Sequence, residues 1–244
     1  MSHSSATIRL VVNADDFGYS RGVSEGILKA HRDGIVTATS LMPLRSDAVA
    51  AVRHAESHPS LDIGLHVDTG EWIYRGGQWR PLYVIVDPDA AESTVRDEFR
   101  RQLDAFQRLV GREPTHLDSH QHVHRSCATL AEVMMAAAQE LHIPLRHMTP
   151  SIRYEGGFFG QQARGEPYPQ GITVENLVAM IRGLPPGLTE ISCHPAAATD
   201  HESPYGEERT VELDTLTNPS VAEALADHQV TLLGFKQAMR HRQS

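Results

Sequence analysis

The segment IRLVVNADD, residues 8–16, runs from a strongly apolar stretch straight into two carboxylates, and its reading decides the fold. Three further segments repeat the design: LDIGLH at 61–66, THLDSHQHVH at 115–124 and TEISCH at 189–194. Each starts with the apolar residues of a buried strand and ends in a histidine or an acid. Asp15, Asp16, His66, His120, His122, His124 and His194 therefore fall where strands should be ending. In barrels and open sheets of parallel strands the carboxyl ends face one shared mouth, so residues far apart in sequence meet there.

Working outward, strand and helix signals alternate along the chain. Strands are expected at 8–14, 35–42, 61–67, 115–119, 144–148, 189–193 and 230–235. Helices are expected at 22–33, 46–57, 92–110, 128–141, 173–183 and 220–228, with Gly34 and Gly111 closing the first and third. The alternation predicts an α/β fold, a TIM-barrel-like (β/α) barrel of about seven parallel strands that need not be complete, in a single domain over 1–244. Two stretches break the rhythm. Residues 68–90 carry both tryptophans and show no clear period, and residues 149–171 are rich in Gly, Arg and aromatics. Both follow strands on the mouth side, where long loops shape substrate pockets, although a surface insertion would look the same. For the second loop the pocket reading is preferred, because Arg153, Tyr154, Phe158 and Phe159 are costly to expose idly.

Composition bounds the function. With 40% hydrophobic and 22% charged residues the chain has the apolar content for a sizeable core. No segment approaches the ~18 uninterrupted apolar residues of a membrane span, and the polar start MSHSSATIRL does not look like a secretory signal, so a cytoplasmic location is expected. A net charge of −9 without a basic cluster argues against nucleic acid and for a small neutral or cationic substrate. Cys127 and Cys193 are too few for a disulfide framework; Cys193 reads as core, pointing away from the mouth if His194 faces it.

The carboxylate pair Asp15 and Asp16, taken alone, reads first as a cap on the helix that begins near residue 20, and the two point to opposite sides unless the chain turns there. Gly18 supplies a turn. The run from Asp118 to His124 changes the reading: period-two spacing places Asp118, His120, His122 and His124 on one face of an extended segment, a surface that suits a divalent ion. Some of these histidines can instead support a ligand's second nitrogen or touch substrate. His66 and His194 prove little singly, but each sits at the same end of its strand as the aspartates, and Gly64 leaves room for a close approach. A carboxylate and two imidazoles suit a transition metal that activates water, with a second carboxylate as base and a histidine as acid; Asp15 and His194 can fill those roles. The expectation is a metal-dependent hydrolase. The alternatives are a metal-dependent phosphoesterase, which would want more cationic groups, and a non-catalytic metal-binding protein, prompted by 15 histidines.

VVNADDFGYSRGV, DIGLHVD, PTHLDSHQHVH and CHPA, in this order and spacing, resemble the YdjC-like carbohydrate deacetylases, the group that includes chitooligosaccharide deacetylase and a hopanoid-biosynthesis-associated deacetylase. The resemblance reaches ERTVELDTLTNPSV near the end of the chain. It implies a distorted β/α barrel that removes acetyl groups from N-acetylated amino sugars with one divalent metal ion. It implies Asp16, His66 and His120 as ligands, Asp15 as base and His194 as acid. From the residues themselves, His122, His124, Arg153, Tyr154 and Phe158 are expected to meet substrate. The family implies Mg²⁺, whereas two imidazole ligands suit Zn²⁺, Co²⁺ or Ni²⁺ better. The expected partner is an N-acetylated sugar, and a homodimer is compatible with the chain.

Overall fold

Seven strands lie parallel in one curled sheet, and the order in which they pair places the ends of the four motif segments beside one another. The computed structural model describes residues 7–87, 89–199 and 203–240. In chain order the elements are β1 (Ile8–Phe17), α1 (Arg21–Asp33), β2 (Ala38–Leu41), α2 (Ala48–Ala55), β3 (Asp62–Val67), β4 (Gly70–Arg75) and β5 (Gln78–Val84). There follow α3 (Glu92–Val110), β6 (Leu117–Ser119), α4 (Ala128–Glu140), β7 (Arg153–Glu155), α5 (Val174–Arg182) and β8 (Gly187–Cys193). The chain closes with α6 (Glu208–Leu216), α7 (Pro219–Asp227), β9 (Thr231–Leu232) and α8 (Phe235–Arg240). Among the described residues no helix is long and apolar enough to cross a membrane.

The sheet runs β6-β3-β2-β1-β8-β7, and β9 pairs with the first part of β1, where Arg9 faces Thr231. Its central strand β1 is buried from Leu10 to Phe17, as expected of a strand covered on both faces. Helices close over it with caps that the sequence supplies: the Ser20 side chain accepts from the Val23 N–H, Thr173 from Asn176, and Gly111 ends α3 in the left-handed conformation. Ser20, not the aspartate pair, thus caps α1, which corrects the capping reading of Asp15 and Asp16.

The barrel is distorted because its last closing strand is reduced to a crossing. Residues 144–148 do not form the expected strand; a single bridge joins Leu145 to Leu117, and His147 turns the chain with φ 63. The chain then reaches the opposite edge, where β7 pairs with β8. Residues 145–155 therefore touch both edges of the sheet. The expected strand at 230–235 shrinks to two residues because α8 begins at Phe235. The stretch 68–90 contains an antiparallel hairpin, β4 with β5, in place of a loop. Helix α6 escaped the sequence reading because Arg209 and Glu212 are buried where a periodic pattern calls for apolar residues.

Candidate active site

At the carboxyl ends of β1, β3, β6 and β8 a cavity of about 390 Å³ is lined by Asp15, Asp16, His66, His120 and His194 together. The sheet register explains the meeting. Ala14 lies beside Cys193 and His66 beside Asp118, so the residues that follow them emerge next to one another.

The adjacent aspartates reach the same cavity because β1 is bulged there. Its register with β2 shifts between Ala14 and Phe17, and Asp16 takes φ 71, a left-handed conformation that an L-residue adopts only where the surroundings hold it. Gly18 follows with φ 85, completing the turn the sequence suggested. Asp15 Oδ1 accepts from Asn13 Nδ2 at 2.7 Å and from Arg146 Nη1 at 2.7 Å, while Oδ2 accepts from Ser192 Oγ at 3.1 Å. Burial pushes Asp15 up, but Arg146 together with His66 and His194 outweighs it, and the carboxyl stays below its ordinary range. For Asp16 the burial is outweighed by Arg209, whose Nη2 lies 2.6 Å from Oδ2, and by His120. Both are carboxylates at neutral pH.

Asp16, His66 and His120 each offer a ligand atom within 4.8 Å of the others, and all three are buried. His120 Nδ1 is 3.0 Å and His66 Nε2 3.3 Å from Asp16 Oδ1. His66 turns Nε2 inward because its Nδ1 is held by Asp118 Oδ1 at 2.7 Å, the carboxylate-to-imidazole support common behind metal ligands. Burial disfavours charge on both rings, yet Asp118 and Asp16 outweigh it, raising His66 well above its ordinary value and His120 to about 9. Nε2 of His120 is buried without a hydrogen bond, 3.9 Å from Glu71 Oε1. A negative field, two imidazoles, a carboxylate and an orphaned ring nitrogen fit a divalent transition ion. A second set, Asp15, His66 and Asp118, also converges, but Arg146 lies against both of its carboxylates and already neutralises them.

His194 sits across the cavity, with Nε2 3.7 Å from Asp15 Oδ2 and Nδ1 4.0 Å from Glu212 Oε1. Glu212 Oε2 accepts its backbone N–H, fixing the strand end. Burial lowers His194 to about 4, so its ring is neutral at neutral pH and any proton it gives must first reach it.

The expected substrate residues divide. His122, Tyr154 and Phe158 line the cavity. His124 does not: it is buried, with Nδ1 2.7 Å from Ser119 Oγ and Nε2 3.2 Å from the Arg146 carbonyl. Its assignment to substrate is corrected, and so is the extended face that placed it there. Residues His120–Arg125 form a short 3₁₀ helix, with Gln121 at φ 50 and His122 at φ 53, so the histidines fan apart instead of sharing a side. Arg153 is exposed on β7 and lies outside the cavity lining, since alternation along the strand turns Tyr154 inward in its place.

Several groups at the site carry no signal in the sequence. Arg146 is buried among Asp15, Asp118, Glu190 and Ser192, the last at 3.2 Å. Burial lifts Glu190 to about 7 and Glu212 to about 8. Nothing in residue spacing marks Arg146, and Arg209 and Glu212 lie in the segment ERTVELDTLTNPSV, where the pattern announces no helix. Gly64 does permit a close approach: a Cβ there would lie 2.4 Å from the ring of His116, which the sequence reading passed over.

A family model described as YdjC-like protein matches residues 9–227. A carbohydrate deacetylase of Brevibacillus brevis is 31% identical, over 94% of this chain and 99% of its own length. A chitooligosaccharide deacetylase of Serratia marcescens is 30% identical, over 93% and 98%. A crystal structure from Enterococcus faecalis, described as a candidate cellobiose-phosphate cleavage protein, superposes with a TM-score of 0.77 at 26% identity, over 95% and 98% of the two chains.

Proposed function

The chain belongs to the YdjC-like protein family, and on that premise we propose that it is a metal-dependent carbohydrate N-deacetylase, releasing acetate from an N-acetylated amino sugar. The observation that carries the reading is the division of labour at the β1 bulge. One aspartate lies among two imidazoles and its neighbour faces a neutral histidine across an open cavity. The relatives named as carbohydrate deacetylases support the same substrate class.

Asp16, His66 and His120 would hold the ion. Bound there, it supplies Lewis acidity toward the acetyl carbonyl and makes a water acidic enough to be deprotonated near neutral pH. Asp15 is the base. Its Oδ1 is tied down by Asn13 and Arg146, while Oδ2, which accepts only from Ser192 Oγ and lies toward His194, takes the proton as the water oxygen attacks the acetyl carbon. That proton passes from Asp15 Oδ2 to His194 Nε2 across the 3.7 Å gap and is delivered to the sugar nitrogen as the C–N bond breaks. Acetate and a free amine are the products. Tyr154, Phe158 and Phe159 wall the cavity and limit bulk water. A phosphoesterase would gather more cations for the phosphate: of the two arginines along the cavity, Arg209 is paired with Asp16 and only the exposed Arg125 stands at the rim.

Incubating the metal-loaded protein with N-acetylated sugars and measuring acetate tests the reading. The Asp15→Asn variant should keep its metal and lose on the order of 10²-fold or more in turnover, whereas Asp16→Ala should lose the metal itself. Equal metal loss in the two variants would overturn the assignment of base and ligand.

A further inference from the structure

The β4–β5 hairpin walls the active-site cleft, and it joins the floor at one place. Gln121, the residue after the candidate ligand His120, accepts from the Trp72 N–H and donates to the Trp72 carbonyl, both at 2.9 Å. Beside this clamp, Glu71 Oε1 lies 3.9 Å from His120 Nε2, so residues 120 and 121 meet residues 71 and 72 as neighbouring pairs. Glu71 and Trp72 face different compartments. Glu71 lines the active-site cavity, while Trp72, with Tyr74 and Trp79, lines a second cavity of about 880 Å³ that adjoins the first. The pairing of β4 with β5 slips between these two residues, an irregularity of the kind that re-aims a side chain next to an active site.

The two candidate imidazole ligands are built alike. His66 shows Nε2 to Asp16 Oδ1 at 3.3 Å and Nδ1 to the Asp118 carboxylate at 2.7 Å. His120 shows Nδ1 to the same Asp16 oxygen at 3.0 Å and Nε2 to Glu71. Each ring thus has the shared aspartate on one nitrogen and a further carboxylate behind the other. Only the Glu71 contact is open: 3.9 Å is beyond a hydrogen bond, and His120 Nε2 is buried without a partner. Glu71 is also loosely held, since it is buried and Tyr19 Oη donates to its Oε2 at a long 3.5 Å. A buried donor and a buried acceptor that face each other unbonded both gain from closing the gap. An ion that takes the lone pair of Nδ1 fixes the ring proton on Nε2, which makes that nitrogen a donor aimed at Glu71.

We propose that Glu71 is the positioning carboxylate behind His120, the counterpart of Asp118 behind His66, and that through it metal loading draws the hairpin onto the floor of the site. The proposal rests on the metal site of the deacetylase reading. Asp118 comes from the sheet and lies beside His66 in register, so the strands alone make its contact. Glu71 comes from a hairpin outside that sheet, so its contact is free to follow the ion. A ring whose far nitrogen is held keeps its plane, and losing such support weakens metal binding by about 10–100-fold.

Both tryptophans of the chain stand on this hairpin, so intrinsic fluorescence reports its setting. The full chain, loaded with Zn²⁺, is stripped by a graded chelator at fixed pH while zinc affinity, stoichiometry and tryptophan fluorescence are read; acetate release from N-acetylated sugars is measured in parallel. In the wild type the fluorescence is expected to change as a single equivalent of zinc leaves. Glu71→Ala and Glu71→Leu should still bind a single equivalent, about 10–100-fold more weakly and without the fluorescence change. Glu71→Gln, which keeps an acceptor oxygen, should lose less affinity and retain the change. Leucine fills the space of the glutamate, so it carries the comparison if the alanine variant does not fold. Wild-type affinity in the alanine and leucine variants overturns the proposal, and so does wild-type fluorescence that ignores zinc. Loss of the stoichiometric zinc site in those variants overturns it as well, because Glu71 would then be a ligand. Any of these results with acetate still released leaves the deacetylase reading standing. A Glu71-dependent zinc affinity and fluorescence change with no acetate from any sugar would sink that reading and uphold the role of Glu71.

Discussion

On the floor of the cleft Asp15, Asp118, Arg146 and Glu190 are each 1% exposed or less and bonded into one network. On the hairpin above it Trp79, Leu82 and Val84 are 55%, 44% and 49% exposed. The floor is built from strand ends whose side chains are positioned by register, so each group is over-determined by its neighbours. The wall is held by its own hairpin pairing and the Gln121 clamp. The contrast teaches where this molecule can vary: wall residues can change to suit a ligand, while a change on the floor leaves a buried charge or a lost ligand behind.

The largest expected effect comes from removing a proposed ligand. His66→Ala or His120→Ala should abolish stoichiometric metal and detectable acetate release together, while circular dichroism stays native because the core cluster does not include these rings. Stoichiometric metal in both variants would break the floor assignment. Next is Arg146→Met, which strips the cation from three buried carboxylates. Breaking a buried ion network from one side should cost about 3–5 kcal/mol in urea unfolding; a loss below ~1 kcal/mol would show the floor to be less coupled than its hydrogen bonds suggest.

A smaller effect is graded by pH. In the metal-free protein His120 is raised to about 9, with His66 raised as well, so below that pH a proton competes with the ion for the ring. Metal affinity should therefore fall as the pH drops below 9, by about tenfold per unit for each proton displaced. Chelator competition with zinc between pH 6 and 9 measures this, and a pH-independent affinity would contradict it. The smallest effect sharpens the contrast from the other side: Trp79→Ala should change unfolding free energy by only about 0.5 kcal/mol or less, since the ring is exposed. A loss comparable to that of Arg146→Met would make the hairpin structural.

Much of the floor was legible in the sequence. An apolar run that ends in an acid or a histidine, four times over, is local information, and parallel strands bring such ends together whatever their separation. Asp15, Asp16, His66, His120 and His194 are candidates on that ground, and all five line one cavity. Gly18 and Gly64 were also readable, one as a turn and one as a point of close approach.

What the sequence by itself determined is thus the strand ends and the chemistry they carry, because side-chain period and turn residues are properties of a few consecutive positions. Only the tertiary structure decided the rest. The His120–Arg125 segment leaves the sheet as a 3₁₀ turn, which directs His122 into the cavity and packs His124 beneath it, against Ser119 and the Arg146 carbonyl. Arg146 and Glu212 are buried polar groups that no apolar pattern announces, since partners such as Glu190 and His194 come from other parts of the chain. The union of the β4–β5 hairpin with the active-site cleft depends on Gln121 reaching Trp72, 49 residues away, a contact that exists only once both segments are held by the same sheet.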